Sequence, residues 1–333
     1  MCFSIPCGLK TFLFIMKEFK TINEQIDLLK NRGLQFNDEV LANKLLLNNN
    51  YYNIINGYKE PFITAGTKDN FINQATFEEI FALYDFDKSI KDILLEHILK
   101  VENNLRSLIA YYFSKYHGND NYLKLSNFED FSSVNVNLET KQNRIKDIQN
   151  LISSINKEIA NTINSKEYIK HYMIEYGFVP PWVLVNILSF GKLSKFLELM
   201  KQNERIEISK NFNITENELV QYTKLLSYFR NLCAHDDRIY NATLPKFLYI
   251  PDNQYHIILN IGKTGTMYTH GKNDLFALII ALKIMLSETD FRRLYNKIYG
   301  RIKSLEKKLV VIKIDVILSK MNFPKNWRDI KKF

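Results

Sequence analysis

Arg230, Asn231, His235 and Arg238 fall within nine residues of one another, inside the stretch Ser227-Tyr-Phe-Arg-Asn-Leu-Cys-Ala-His-Asp-Asp-Arg-Ile-Tyr-Asn241. Histidine is scarce in this chain, six in 333 residues, yet one of them stands beside two arginines and an amide. An imidazole takes or gives a proton near neutral pH. A guanidinium offers a permanently charged, forked set of donors for phosphate oxygens. Together these groups suit the handling of a phosphodiester. On a helical wheel at about 100° per residue, Leu225, Phe229, Leu232, Cys233, Ile239 and Tyr240 gather on one side, the expected core side. Asn231, His235 and Arg238 follow i, i+4, i+7 spacing on a second face. Arg230 and His235 are five residues apart, roughly 140° around the axis, so they diverge. Bringing both to one phosphate requires the reach of a long Arg side chain, a helix end near His235, or a second subunit. The same residues also fit a solvated helix face ion-paired with Asp236 and Asp237, and the chemistry alone leaves both readings open.

The rest of the chain must position this segment. Gly and Pro are few, 11 and 7, which leaves little turn punctuation and favours long helices. With 46 % hydrophobic residues, 333 positions are enough for a sizeable core in one large domain or two small ones. Phe77 to Tyr116 carries the longest clean pattern: Ile90, Ile93, Leu94, His97, Val101, Leu105, Leu108 and Tyr112 recur every three or four residues, the mark of a long helix with one buried stripe. His97 lies on that stripe and reads as a core histidine. Glu102 and Arg106 make an i,i+4 pair on its flank. Helices are also expected over 20–32, 37–48, 51–59, 137–165, 182–200 with an interruption near Gly191, 273–287 and 290–319. Another begins at Thr215, where Glu218 completes a capping box. Phe247–Ile250 and His256–Ile261, either side of Pro-Asp-Asn-Gln, predict a small β-hairpin. Gly262-Lys-Thr-Gly265 lacks phosphate-loop spacing.

Charge is uneven. The net +9 is matched by the tail Arg292–Phe333, which has thirteen Lys/Arg against three Asp/Glu. Such a face, with Arg292, Arg293 and Lys297 at its start, can hold a polyanion through counterion release. It equally fits a solvated helix surface with Ile302, Leu305, Leu309, Ile312, Ile314 and Ile317 turned inward. Three cysteines argue against a disulfide scaffold, and no Cys/His spacing suits zinc, so neither metal nor cofactor is expected. No 18-residue apolar run predicts a membrane-spanning helix, and the cytoplasm is the expected location. Residues 1–16 faintly resemble a signal peptide, but Lys10 comes too late and a cleavage site is missing. Met16 reads as a natural start, with the preceding residues a non-native or disordered leader.

Arg230-Asn-Leu-Cys-Ala-His235 resembles the Arg-x(4–6)-His motif of HEPN domains (higher eukaryotes and prokaryotes nucleotide-binding), many of which are metal-independent ribonucleases. The continuation His235-Asp-Asp-Arg238-Ile-Tyr-Asn241 is similar to the Abi-like family of bacterial abortive-infection proteins. Further segments agree in order: Gln25–Gly33, Ile55–Tyr58 with Pro61-Phe62, Phe77–Asp87, Val101–Arg106, Pro181–Ser194 and Met321–Trp327. The resemblance covers about residues 17 to 328. It departs at Asp236, where family members often carry a second His, which leaves the Arg/His pair intact but puts any two-histidine acid–base scheme in doubt. The resemblance implies an all-α, HEPN-type helical bundle with a core over 77–291, an N-terminal helical cap over 17–76 and a basic C-terminal helical segment over 292–333. It implies a homodimer whose two motifs face one another, and RNA cleavage by 2′-OH attack without metal. Arg230, Asn231 and His235 would be catalytic. Arg238, Asn241, Glu102, Arg106, Arg292, Arg293 and Lys297 would contact RNA or border its groove. The implied biology is a toxin in anti-phage defence, with an antitoxin partner a further expectation. The alternative is a non-catalytic RNA-binding protein held by a small structured RNA.

Overall fold

The computed structural model describes residues 18–128, 138–235, 237–242 and 244–333. The expected leader, with Cys2 and Cys7, lies outside them, as does Asp236. Two compact units divide between Phe81 and Ala82.

In the first unit, α1 (Ile22–Asn31) opens on a reciprocal capping box: Thr21 Oγ1 accepts from the Glu24 N–H, and Glu24 accepts from the Thr21 N–H at 2.7 Å. That satisfies two of the donors a helix start leaves open. Gly33, at φ +89°, ends it, a conformation that suits glycine. α2 (Glu39–Asn49), capped by Asp38, packs against α1. The helix expected over 51–59 is present over 51–58, with a π-helical middle, Tyr52–Asn56. α3 (Phe77–His117) begins in this unit and continues into the second.

The second unit is built on helices. After α3 come α4 (Leu138–Thr162), α5 (Glu167–Tyr176), α6 (Pro181–Leu184), α7 (Phe190–Leu199), α8 (Gln202–Ser209) and α9 (Glu216–Ala234). Next come α10 (Gln254–Ile258), α11 (Leu275–Met285), α12 (Glu288–Glu306) and α13 (Ile314–Lys320). α9 packs on α7, α8 and α11, α4 on α7, and α12 on both α11 and α13. α11 is apolar but for Lys283, which meets Glu288 at 2.9 Å, and almost every residue of it is buried, as suits a central helix. The fold is all-α with one small β insertion.

That insertion is not where the alternation placed it. Asn253 caps α10 across the segment read as the second strand, and His256 returns the bond by accepting from the Asn253 N–H. The hairpin pairs β1 (Lys263–Thr264) with β2 (Met267–Tyr268), in and just after the rejected phosphate-loop string, where Gly265 takes φ +62° at the turn. The helix expected over 182–200 parts into α6 and α7, because Ser189 caps a new start ahead of Gly191 by accepting from the Lys192 N–H. The run expected over 290–319 likewise parts into α12 and α13.

At the end of α3, His117 Nε2 lies 2.5 Å from Glu204 Oε1 on α8, and Glu204 is fully buried. The distance would suit an ion pair, but burial disfavours charge on both groups. It raises the Glu204 carboxyl to about 7 and, with Lys201 nearby, lowers His117. The neutral acid facing a neutral imidazole is the form burial favours. A carboxyl that holds its proton more tightly folded than unfolded costs nothing below its ordinary value of 4.5, and its full cost is present above about pH 7. Glu204→Gln, which cannot ionise, is therefore expected to gain on the wild type as pH rises through that window, by up to about 3 kcal/mol. Urea unfolding at successive pH values reads this; a pH-independent difference would contradict it.

Candidate active site

α9 carries the motif. Thr215 and Glu218 form the capping box legible in its sequence, with the Thr215 N–H donating to Glu218 at 2.9 Å. Leu219, Tyr222, Leu225, Leu226 and Phe229 are fully buried, which fixes the helix rotation. Arg230 follows at the margin of that face, with 34 % of its side chain exposed.

The helix stops at Ala234. His235 is its C-cap, extended at φ −101° and ψ 163°, and its N–H donates to the Asn231 carbonyl at 3.0 Å. The continuous wheel through Asn241 therefore does not hold, and the i, i+4, i+7 face of Asn231, His235 and Arg238 is not a helix face. Ile239 and Tyr240 are buried as expected, but for another reason. Asp87, 0 % exposed on α3, accepts from the Ile239 N–H at 3.3 Å and the Tyr240 N–H at 2.8 Å. His235, Asp237 and Arg238 are exposed between these two fixed points, and Asn241 is half-buried.

Sequence reading missed Asp87 as a positioning residue. The signal was present: Leu83, Asp87, Ile90 and Leu94 share one stripe, and a carboxylate on a buried stripe must have partners. Asp87→Ala would leave two buried N–H groups unanswered at about 1–3 kcal/mol each. The expected result is a lower unfolding midpoint together with loss of protection from hydrogen exchange at Ile239 and Tyr240. Unchanged protection there would count against the clamp.

Glu102, 3 % exposed, joins the other pieces. One carboxylate oxygen accepts from Arg106 one turn along α3. The other lies 3.8 Å from Arg230 Nε, and that Oε2 and Nε are both buried with no hydrogen-bond partner. Arg106 also donates to the Val185 carbonyl, just past α6. A single buried carboxylate thus holds two guanidinium groups and ties α3, α9 and the α6 end together, leaving the triad with a surplus positive charge. That surplus matters because the C-terminal end of α9 carries a negative partial charge. An anion is drawn to it only if Arg230 and Arg238 outweigh the helix.

Glu102, Arg106 and Arg230 are brought together, and Asn231 and His235 share the end of the same helix. Arg292, Arg293 and Lys297 stand on another helix, with exposed side chains each beside a carboxylate. On α12 they lie 3.8, 3.9 and 2.5 Å from Glu288, Asp290 and Glu96. Lys100 meets Asp290 at 2.6 Å, so Lys297–Glu96 and Lys100–Asp290 join α12 to α3, while Arg292 and Arg293 pair within α12. The tail's inward face is real: Ile302, Leu305, Ile314, Ile317, Phe323 and Trp327 are buried.

Other chemistry-bearing side chains have structural surroundings. His97 is fully buried, with Nδ1 at 2.7 Å from the Ile93 carbonyl, and burial lowers its pKa. Burial, with Asp87 close by, pushes the Cys233 thiol up to about 12, unsuited to a nucleophile. Among the described residues no group of three or more His, Cys, Asp or Glu side chains gathers as a metal site. No described helix is long and apolar enough to cross a membrane.

Comparison with curated proteins and with solved structures gave no match. A family model described as Abi-like protein matches residues 44–241, more than half of the chain. The span includes Asp87, Glu102, Arg106, Arg230 and His235. The chain belongs to the family of Abi-like proteins.

Proposed function

We propose that the protein is a metal-independent endoribonuclease built on a HEPN-type bundle and acting in abortive infection. The observation that carries this reading is the end of α9. There Arg230 is held half-buried against Glu102, and His235 stands exposed one residue past the helix. A base takes the proton of a ribose 2′-OH, the oxygen attacks the adjacent phosphorus, and the 5′-oxygen leaves with a proton from an acid. The products are a 2′,3′-cyclic phosphate and a 5′-OH. His235 moves a proton. Arg230 stabilises charge on the phosphoryl oxygens, the kind of contribution that is largest from preorganised donors. Asn231 orients the phosphate or the imidazole, and Arg238 holds a neighbouring phosphate.

The reaction needs two proton transfers, and each chain offers one imidazole in the motif. A homodimer with facing motifs supplies the second. Incubation with bacterial RNA in EDTA tests the reading. Discrete fragments ending in 2′,3′-cyclic phosphate, with no cleavage of a substrate lacking the scissile 2′-OH, are expected; 3′-OH ends would overturn it. The exposed cations of α12 favour one other reading, a non-catalytic protein holding a structured RNA, for which intact RNA would copurify uncut.

A further inference from the structure

α3 carries two stripes beyond Glu102. One is core: Val101, Leu105, Ile109 and Phe113 are all buried. The other, Asn103, Arg106, Ser107, Tyr111, Ser114 and onward to Lys115, faces a groove of about 850 Å³ closed on its far side by Trp182, Val185 and Asn186. The spacing i, i+3, i+4, i+7, i+8, i+11, with Ala110 included, is that of a helix face, and it sets polar, basic and aromatic residues about an apolar floor.

The lining combines exposed aromatics with cations. Trp182 is 50 % and Tyr111 62 % exposed. Two cations, Arg106 and Lys115, border the groove, and none of its lining residues is acidic. Cores of protein interfaces are poor in Lys, whereas single-stranded nucleic acid is held by stacking platforms beside a cationic track. Groups suited to reading a base are also present. The Ser114 hydroxyl oxygen is buried with no partner. Asn186 spends its amide N–H on the Trp182 and Val183 carbonyls at 3.1 and 3.2 Å, which leaves Oδ1 to accept. The groove is coupled to the motif through Arg106, which shares Glu102 with Arg230. From Arg106 to Lys115 the helix runs roughly 13 Å.

We infer that this groove is the subsite for the single-stranded RNA flanking the scissile bond, with a base stacked on Trp182 or Tyr111 and the backbone following Lys115 and Arg106 toward Arg230. The inference rests on the ribonuclease reading for the direction of the strand, but its chemistry is binding and can be read without turnover. Trp182 stacks the base, Tyr111 extends the platform, and Asn186 and Ser114 offer hydrogen bonds to its edge. Lys115 and Arg106 supply the field that holds phosphate.

The protein carries a suitable reporter. It has two tryptophans, and Trp327 is buried at 2 % exposure, so a change in emission on adding RNA comes chiefly from Trp182. A short unstructured RNA would be titrated into full-length His235→Ala protein, which keeps the strand intact. The expected result is quenching of Trp182. In the same background Trp182→Ala is expected to weaken binding by roughly 5- to 150-fold and Trp182→Phe to restore most of it. Lys115→Ala is expected to weaken binding and lower the salt slope by about one.

Unchanged affinity in Trp182→Ala, with RNA still bound, would overturn the groove. So would emission that shifts with protein concentration and ignores RNA, since a second copy would then be the occupant. Failure of the two ideas is separable. Trp182-dependent binding by a wild type that never cleaves keeps the groove and removes the nuclease. Cleavage with Trp182-independent binding does the reverse.

Discussion

His235→Ala is expected to reduce RNA cleavage by about 10²- to 10⁴-fold, the usual contribution of a positioned acid or base, while leaving the unfolding free energy, read in urea, within about 0.5 kcal/mol of wild type. The two halves of the expectation come from different atoms. What His235 gives the fold is its backbone N–H, which closes α9 onto the Asn231 carbonyl, and alanine keeps that donor. Its imidazole is exposed, so truncation opens no cavity. A variant that loses both activity and stability would assign the ring a structural role. One that retains activity would remove His235 from the reaction. If two chains each supply an imidazole, mixing inactive His235→Ala with inactive Arg230→Ala protein tests the dimer, because restored cleavage requires intact residues from both.

Glu102→Ala is the substitution expected to damage stability most. Removing one partner of a buried ionic group costs about 3–5 kcal/mol, because the remaining charge is stranded. Here Arg106 and Arg230 both lose their carboxylate. The lower end of the range applies, since a third of the Arg230 side chain already faces water. Glu102→Gln keeps an acceptor for Arg106 but not the charge, and should fall between. Equilibrium unfolding reads the cost; a loss below about 1 kcal/mol would mean that the arginines are held by solvent instead. Activity separates positioning from folding: at temperatures where Glu102→Gln is folded, kcat should drop with KM little changed, because Arg230 would be misplaced in the transition state.

Much of the scaffold is legible because its signals are local. Thr215 and Glu218 announce α9 three residues apart, and the stripe from Ile90 to Leu105 announces α3. A helix end near His235 was one of three open ways to bring Arg230 and His235 together, and nothing local selects it, because Asn-Leu-Cys-Ala-His contains no glycine or proline. What breaks the helix acts from a distance: Asp87 grips Ile239 and Tyr240 from more than 150 residues earlier in the chain. The same holds for Glu102. Its i,i+4 bond to Arg106 could be read from spacing, but its approach to Arg230 depends on how α9 packs beside α3. The hairpin was misplaced because Asn253 could be read as a turn residue, and its capping role appears only once the helix exists. For the basic tail, a count of lysines and arginines carries no record of the carboxylates Glu96, Glu288 and Asp290 that stand beside its exposed cations.

The clamp at Asp87 makes the segment after His235 a ruler. Both of its ends are set by buried structure, α9 on one side and Asp87 on the other, and three residues, 236 to 238, lie between them. Where Arg238 projects is decided by the number of residues in that interval more than by their identity. A substitution at the exposed Asp237 is inexpensive to the fold, whereas a single insertion or deletion rotates the exposed arginine away from the end of the helix. Selection on this stretch should therefore act on its length first, and the interval between His235 and the buried Ile239 is the dimension by which a family member with the same scaffold could redirect its chemistry.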